Sequence, residues 1–310
     1  MFGLESLDIM IGLITVYLIF GMACTAFVEA VMSWNEVRSK NLEAALKEFL
    51  HNGDVGTNGG KDFVKKFYDH ALVQSLSKGV DGRPSYLPPE IVSQVVIDII
   101  KAGDGGVTIE QAIKDLPKDS RIQSLLISLY KQANNDVTEF RKGIETHFDN
   151  IMDRASGWVK RDSRNITRVV SVLLVVSFNV DTINIYNSLA NNPTARLKLI
   201  EISQQLDKSP LPKTDDSSDK AIDQTKKAEE ILKKATNELE SAGVQLGWDK
   251  DNLPEEWGWD KNSFGWLINK ILGLLISTLA VSLGAPFWFD ILQKFMQIRS
   301  SGVSPRDPKK

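Results

Sequence analysis

A chain of 310 residues with a single cysteine, Cys24, cannot form an internal disulfide and has no cysteine cluster to hold a metal. Histidine is nearly as scarce. His51, His70 and His147 stand far apart, without ligand spacing. Neither sign of charge dominates. The 37 Lys and Arg against 40 Asp and Glu leave a net charge of −3, without the basic stripe or face of a nucleic-acid binder. These shortages lead us to expect no metal, no cofactor and no nucleic-acid partner.

Signatures of chemistry are missing as well. The glycine-rich run Gly53-Asp-Val-Gly-Thr-Asn-Gly-Gly-Lys61 fails as a phosphate loop. Such a loop needs Gly, four residues, then Gly-Lys-Ser/Thr, whereas position 55 is Val and position 62 is Asp. The acid-rich run from Trp248 to Trp259 lacks the ligand order, central Gly and closing Glu of a calcium loop. Nucleophile elbow, His-Glu-x-x-His and dinucleotide fingerprints are also absent. The expectation is a protein that is not an enzyme, with no catalytic residues.

Long apolar runs are what the chain does have. Three blocks cover residues 9–32, 168–189 and 264–289, each near the roughly 20 residues that cross a bilayer. The first is no secretory signal, because residues 1–8 carry Glu5 and Asp8 and no Lys or Arg. The second is the most polar, with Asn179, Asp181, Thr182 and Asn184 in its second half. The third has Trp266 and Trp288 near its ends, as two aromatic belts would, and Lys270 reads as a residue snorkelling outward.

Lys and Arg near the block ends set the direction. Arg38, Lys40 and Lys47 follow the first block; Lys160, Arg161, Arg164 and Arg168 precede the second; Lys294, Arg299 and Arg306 follow the third. The expected layout has the tail 1–8 outside, a cytoplasmic domain 33–167, the segment 190–263 outside (both outside parts periplasmic under the resemblance given below) and a cytoplasmic amphipathic tail 290–310. The fold class is therefore an all-α membrane protein with three transmembrane helices.

Both outer segments read as helical. Apolar residues recur at helical spacing over 41–50 and 62–77. Pro88-Pro89-Glu90 opens a third helix, Thr108-Ile-Glu-Gln111 has capping-box form, and a fifth helix covers 120–133. Val137, Phe140, Ile144, Phe148, Ile151, Ala155 and Trp158 then recur at steps of three and four. No proline interrupts the chain from there into the second block, so a long stalk helix should run into it. Its stripe either packs on the other cytoplasmic helices or forms a self-association seam. Beyond the second block, helices are expected over 194–206 and 219–242, as a hairpin or as a short coiled coil with another chain. Trp257 and Trp259 should rest on the membrane surface.

Polar and small residues within the blocks are the candidate functional positions. Glu29, Asn179, Asp181, Thr182 and Asp290 are costly in lipid and suit helix contacts, interfacial pairs or an ion path. Gly21 and Thr25 on the first block, and Gly273, Ser277 and Gly284 on the third, have the small-residue spacing that lets helices approach.

Three segments carry a resemblance: Phe148-Asp-Asn-Ile-Met-Asp-Arg-Ala-Ser-Gly-Trp158, Phe178-Asn-Val-Asp-Thr182 and Ser282-Leu-Gly-Ala-Pro-Phe-Trp-Phe-Asp-Ile-Leu-Gln-Lys294. Gly3-Leu-Glu-Ser-Leu-Asp-Ile9 and Pro84-Ser-Tyr-Leu-Pro88 fit the same pattern. The chain resembles a family of uncharacterised bacterial integral inner-membrane proteins. The resemblance implies that location and a similar topology, and no activity. The expected role is a membrane-anchored structural or interaction protein, a scaffold or accessory chain. Its partners would be the lipid bilayer and a second copy or another membrane complex. The alternative is a subunit of an oligomeric pore or ion-conducting protein, a defence or stress effector among them.

Overall fold

The computed structural model describes residues 4–35, 37–51, 58–77, 83–84, 86–101, 107–116, 121–208, 221–248 and 261–302. Among them every regular element is a helix, and no strand occurs. Two helical stretches, Glu5–Trp34 and Phe264–Ser282, are long and apolar enough to cross a membrane. A bent pair, Val137–Ser177 with Thr182–Asn191, counts as a third if taken together. The expected positions of Trp257 and Trp259 lie outside the described residues. The chain divides into two compact units, Asn35–Asp162 and a second made of Met1–Trp34 with Ser163–Lys310.

The unit Asn35–Asp162 holds α2 (Val37–His51), α3 (Asn58–Asp69), α4 (Ala71–Gln74), α5 (Pro89–Lys101), α6 (Ile109–Lys114) and α7 (Arg121–Gln132). It also takes residues 137–162 of the long α8 (Val137–Ser177). Local chemistry sets these boundaries. The Thr108 hydroxyl accepts from the Gln111 N–H at 3.3 Å and starts α6. Asn134 and Asn135 take positive φ values of 49° and 65°, and asparagine tolerates that region better than most residues. They turn the chain between α7 and α8, and the Asp136 carboxylate then accepts from the Glu139 N–H at 2.8 Å.

The α8 stripe fills the core of this unit from Phe140 onward, whereas Val137 at its start is 47% exposed. Phe140, Ile144, Phe148, Ile151 and Ala155 are buried with Leu46, Phe49, Val92, Val96 and Leu126, and Trp158 packs against them partly buried. Phe148 meets Phe49 edge-on with ring centroids 5.8 Å apart, and Tyr130 meets Phe140 at 5.3 Å. Each such ring contributes roughly 1.5–3 kcal/mol by leaving water. The buried part of the stripe therefore packs on the chain's own helices, the first of the two readings, and Trp158 and Val137 keep exposed surface. Burial pushes the Tyr68 phenol up to about 12. It depresses His147 below its ordinary value, helped by the charge of Arg154.

The other unit is built around α1 (Leu4–Trp34). Ile11, Val16, Leu18, Phe20 and Ala23 are fully enclosed. Its partners are residues 163–177 of α8, α9 (Thr182–Asn191), α10 (Pro193–Lys208), α11 (Ala221–Ser241), α12 (Lys261–Ser282) and α13 (Ala285–Gly302). Phe20 meets Phe178, with ring centroids 6.0 Å apart. Gly12 lies under Leu189 and Leu199, where a Cβ would come within 2.9 Å and 3.3 Å of their methyls. Ile200 of α10 and Leu292 of α13 join Ile11, Ile14 and Leu18 in one cluster. Cys24 is buried here, a packing residue.

Two features depart from the sequence-based layout. The second apolar block does not run straight to residue 189: α8 stops at Ser177 and α9 leaves it at a bend of 50°. The segment 290–310 does not leave the third block as a separate tail, as far as it is described. Gly284, at φ 81°, reverses the chain after α12, and α13 returns antiparallel along α1. Gly21 contacts the backbone at Gly284 and Ala285, Tyr17 stacks on Trp288 with centroids 4.7 Å apart, and Arg299 pairs with Asp8 at 2.9 Å. The Asp8 and Arg299 ends therefore lie together, where the charge pattern placed the two termini on opposite sides. An amphipathic helix can bury its apolar face in lipid or on a neighbour, and here α1 supplies the neighbour.

Candidate functional site

The break between α8 and α9 positions the polar groups of this unit. Asn179 takes φ 48°, which stops the α-helical ladder. A helix end in apolar surroundings leaves carbonyls that need donors. The segment after α11 supplies them: the Trp248 indole N–H donates to Val176 O at 2.7 Å, and the Gly247 N–H donates to Phe178 O at 2.9 Å. The Asn179 amide donates back to Gly247 O at 2.6 Å. The Asn179 Oδ1 atom is buried with no hydrogen-bond partner among the described residues.

Asp181 starts α9. Its Oδ1 accepts from the Ile183 and Asn184 N–H groups at 2.9 and 3.3 Å, the arrangement of a helix N-cap. Its Oδ2 lies 3.2 Å from the Lys270 ammonium of α12, and both side chains are buried, 6% and 7% exposed. The ammonium also sits 5.3 Å from the Trp248 ring centroid and 5.9 Å from that of Trp266, a favourable placement for a desolvated cation. Lys270 thus does not snorkel outward. It turns into the protein and meets an acid from another apolar block.

Next to this pair runs a chain of hydroxyls. Tyr17 and Thr182 are 2.8 Å apart, Thr182 and Ser277 are 2.7 Å apart, and Ser277 donates to Gly273 O at 3.0 Å. The Thr182 N–H donates to the Ser277 hydroxyl at 3.0 Å. The small residues make the approach possible. Gly273 lies against the Asp181 carboxylate, and Ser277 is fully buried at the α9–α12 contact. On α1, Thr25 donates to Gly21 O at 2.9 Å and lies beside Gly284.

A polar cleft of about 220 Å³ opens beside the ion pair, lined by Asp181, Ile183, Asn184, Asn187, Trp266, Asn269 and Lys270. Asn187 and Asn269 are exposed at its edge, whereas Asp181 and Lys270 form its buried side.

Of the polar residues singled out by sequence, the fold brings Asn179, Asp181 and Thr182 to one place. Glu29 is half-buried on α1, 12 residues beyond Tyr17, or about 18 Å at helical rise. Asp290 is exposed on α13. These acids do not form a continuous relay with Asp181. Lys270, read from sequence only as a snorkelling residue, belongs to the site, as do Tyr17 and Trp248, which were not among the candidate positions. The available signal was one Lys and one Asp in two different apolar blocks, each too costly to leave unpaired. Trp288 is packed on Tyr17 and donates to Ala280 O at 2.6 Å. Among the described residues no group of three or more His, Cys, Asp or Glu is placed to hold a metal. No family model, curated protein or solved structure matches this chain.

Proposed function

We propose that this is a membrane-anchored structural or interaction protein of a bacterial inner membrane. Its helical unit Asn35–Asp162 would be held in the cytoplasm, where the protein binds a second copy or another membrane complex. The observation that carries the reading is the state of Asp181. This acid, buried in the apolar unit, caps α9 and pairs with Lys270, so its charge is consumed in holding helices together. Lys160, Arg161, Arg164 and Arg168 at the start of the second block favour the cytoplasmic side for residues 35–162. The Asp8–Arg299 end then faces the periplasm.

The mass of the full chain purified in lipid nanodiscs, with every co-purifying chain identified, tests this reading. A defined complex, of one stoichiometry with itself or with one other membrane protein, is expected. A monomer that retains no partner under gentle extraction contradicts it.

The cleft at a broken span motivates a second reading, an ion-conducting oligomer. Irregular backbone at membrane depth occurs where it lines a cavity or is buried in protein. This reading requires ion flux through liposomes that depends on Asp181.

A further inference from the structure

We propose that the cleft between α9 and α12 is a binding site for the phosphodiester headgroup of one membrane phospholipid. The inference rests on the membrane reading above and adds a ligand to it. Both Asp181 oxygens are engaged, Oδ1 by two backbone N–H groups and Oδ2 by Lys270. The Lys270 ammonium carries three N–H donors and lines the cleft while 93% of its side chain is shielded. The carboxamides of Asn187 and Asn269, exposed at the mouth, add further donors. A buried cation ringed by amide donors suits the oxygens of a phosphodiester.

The surroundings favour a lipid as the source. Asn187 and Asn269 are exposed at the mouth, while Ile268, Ile271, Leu272 and Leu275 on the same helix α12 present exposed apolar surface. Exposed amides are costly in hydrocarbon and tolerable at headgroup depth, where Trp266 also prefers to lie. A headgroup in the cleft leaves its acyl chains against the apolar face of α12. A free phosphate gains nothing from that face.

The full-length protein in mixed detergent–lipid micelles, examined by native mass spectrometry, tests the proposal. Phosphatidylglycerol, phosphatidylethanolamine and a phosphate-free galactolipid are offered in turn, with and without millimolar inorganic phosphate. The expected result is one retained phospholipid per chain, weakened at least about tenfold in Asn187→Leu/Asn269→Leu, a pair at the mouth that leaves Asp181–Lys270 intact. Equal retention of the galactolipid overturns the phosphodiester assignment, and displacement by inorganic phosphate alone overturns the lipid source. Unchanged retention in the double variant overturns the site. Flotation of each variant with vesicles is read in parallel. Loss of flotation in the wild-type chain overturns the membrane reading itself, a separate outcome from loss of the bound lipid.

Discussion

The carboxylate of Asp181 rests on the backbone of Gly273: a Cβ added at Gly273 would overlap Oδ1 and stand 2.7 Å from Cγ. Glycine at this position is what allows α12 to approach the start of α9 closely enough for Lys270 to reach the acid. Replacing Gly by Ala inside an ordinary helix stabilises it by up to about 1 kcal/mol. Here the sign reverses, because the new methyl expels a buried charge from its partners. Gly273→Ala is expected to lose about 3 kcal/mol or more, the scale of a broken buried pair. Gly265→Ala on the same helix, where among the described residues nothing lies within 4 Å of the added methyl, should be neutral or slightly stabilising. Denaturation of both variants in one detergent compares them directly; equal behaviour contradicts the contact.

The ion pair itself should be strongly non-additive. Asp181→Asn or Lys270→Gln alone leaves one buried charge without its partner, at a cost of roughly 3–5 kcal/mol. The double substitution removes both charges and should recover a good part of that loss. A double variant that loses the sum of the single losses shows that the two groups do not act as a pair.

In the unit Asn35–Asp162, the stripe on α8 is a core. Phe148→Ala should cost about 3–5 kcal/mol through the lost ring and the cavity left behind. Val137→Asp, at a position 47% exposed, should change stability by less than about 0.5 kcal/mol. Thermal unfolding ranks the two; a change of oligomeric mass with unchanged stability in Phe148→Ala would point to a seam after all.

Titration of this unit follows from two buried rings. His147 is depressed chiefly by burial and secondarily by Arg154, so the folded state favours the neutral imidazole. Its contribution to stability is present above the unfolded value of about 6.5 and is lost as pH falls through the lower folded value. Arg154→Gln should raise the His147 pKa and leave it below 6.5, because the burial remains. Tyr68 has the opposite sense. The neutral phenol is favoured, and its stabilisation is present below about pH 10. That stabilisation is lost as pH rises toward about 12. NMR titration of the His147 ring, and the absorbance difference between wild type and Tyr68→Phe, read the two values.

Much of the helical framework was legible in sequence because it depends on local signals. The stripe from Phe140 to Trp158, the absence of proline after it and the cap at Thr108 are contained in a few neighbouring residues. The break at 178–181 was not legible. Hydropathy averages over a span-length window and does not register one asparagine at positive φ, held by Gly247 and Trp248 some 68 to 72 residues away. The partner of Asp181 was hidden for a similar reason: Lys270 near a span end has the same local pattern whether it reaches outward or inward. The return of α13 along α1 depends on Gly21 and Gly284 meeting, which the small-residue spacing suggested on each helix separately and left unpaired.

That return has a topological consequence. Residues 8 and 299 should be reached by membrane-impermeant reagents from one and the same side, and a short bifunctional cross-linker should join cysteines placed at both positions. Labelling from opposite sides contradicts the antiparallel α1–α13 pairing.

The central claim is that Asp181 holds helices together in a membrane anchor and does not carry ions. Ion flux through liposomes containing the full chain tests it most directly, with wild type and Asp181→Asn compared at equal protein incorporation. The account predicts no flux above protein-free liposomes for either protein, with Asp181→Asn distinguished only by its lower stability. A wild-type flux that disappears in Asp181→Asn, while the variant remains folded and inserted, would contradict the account and establish the conducting reading in its place.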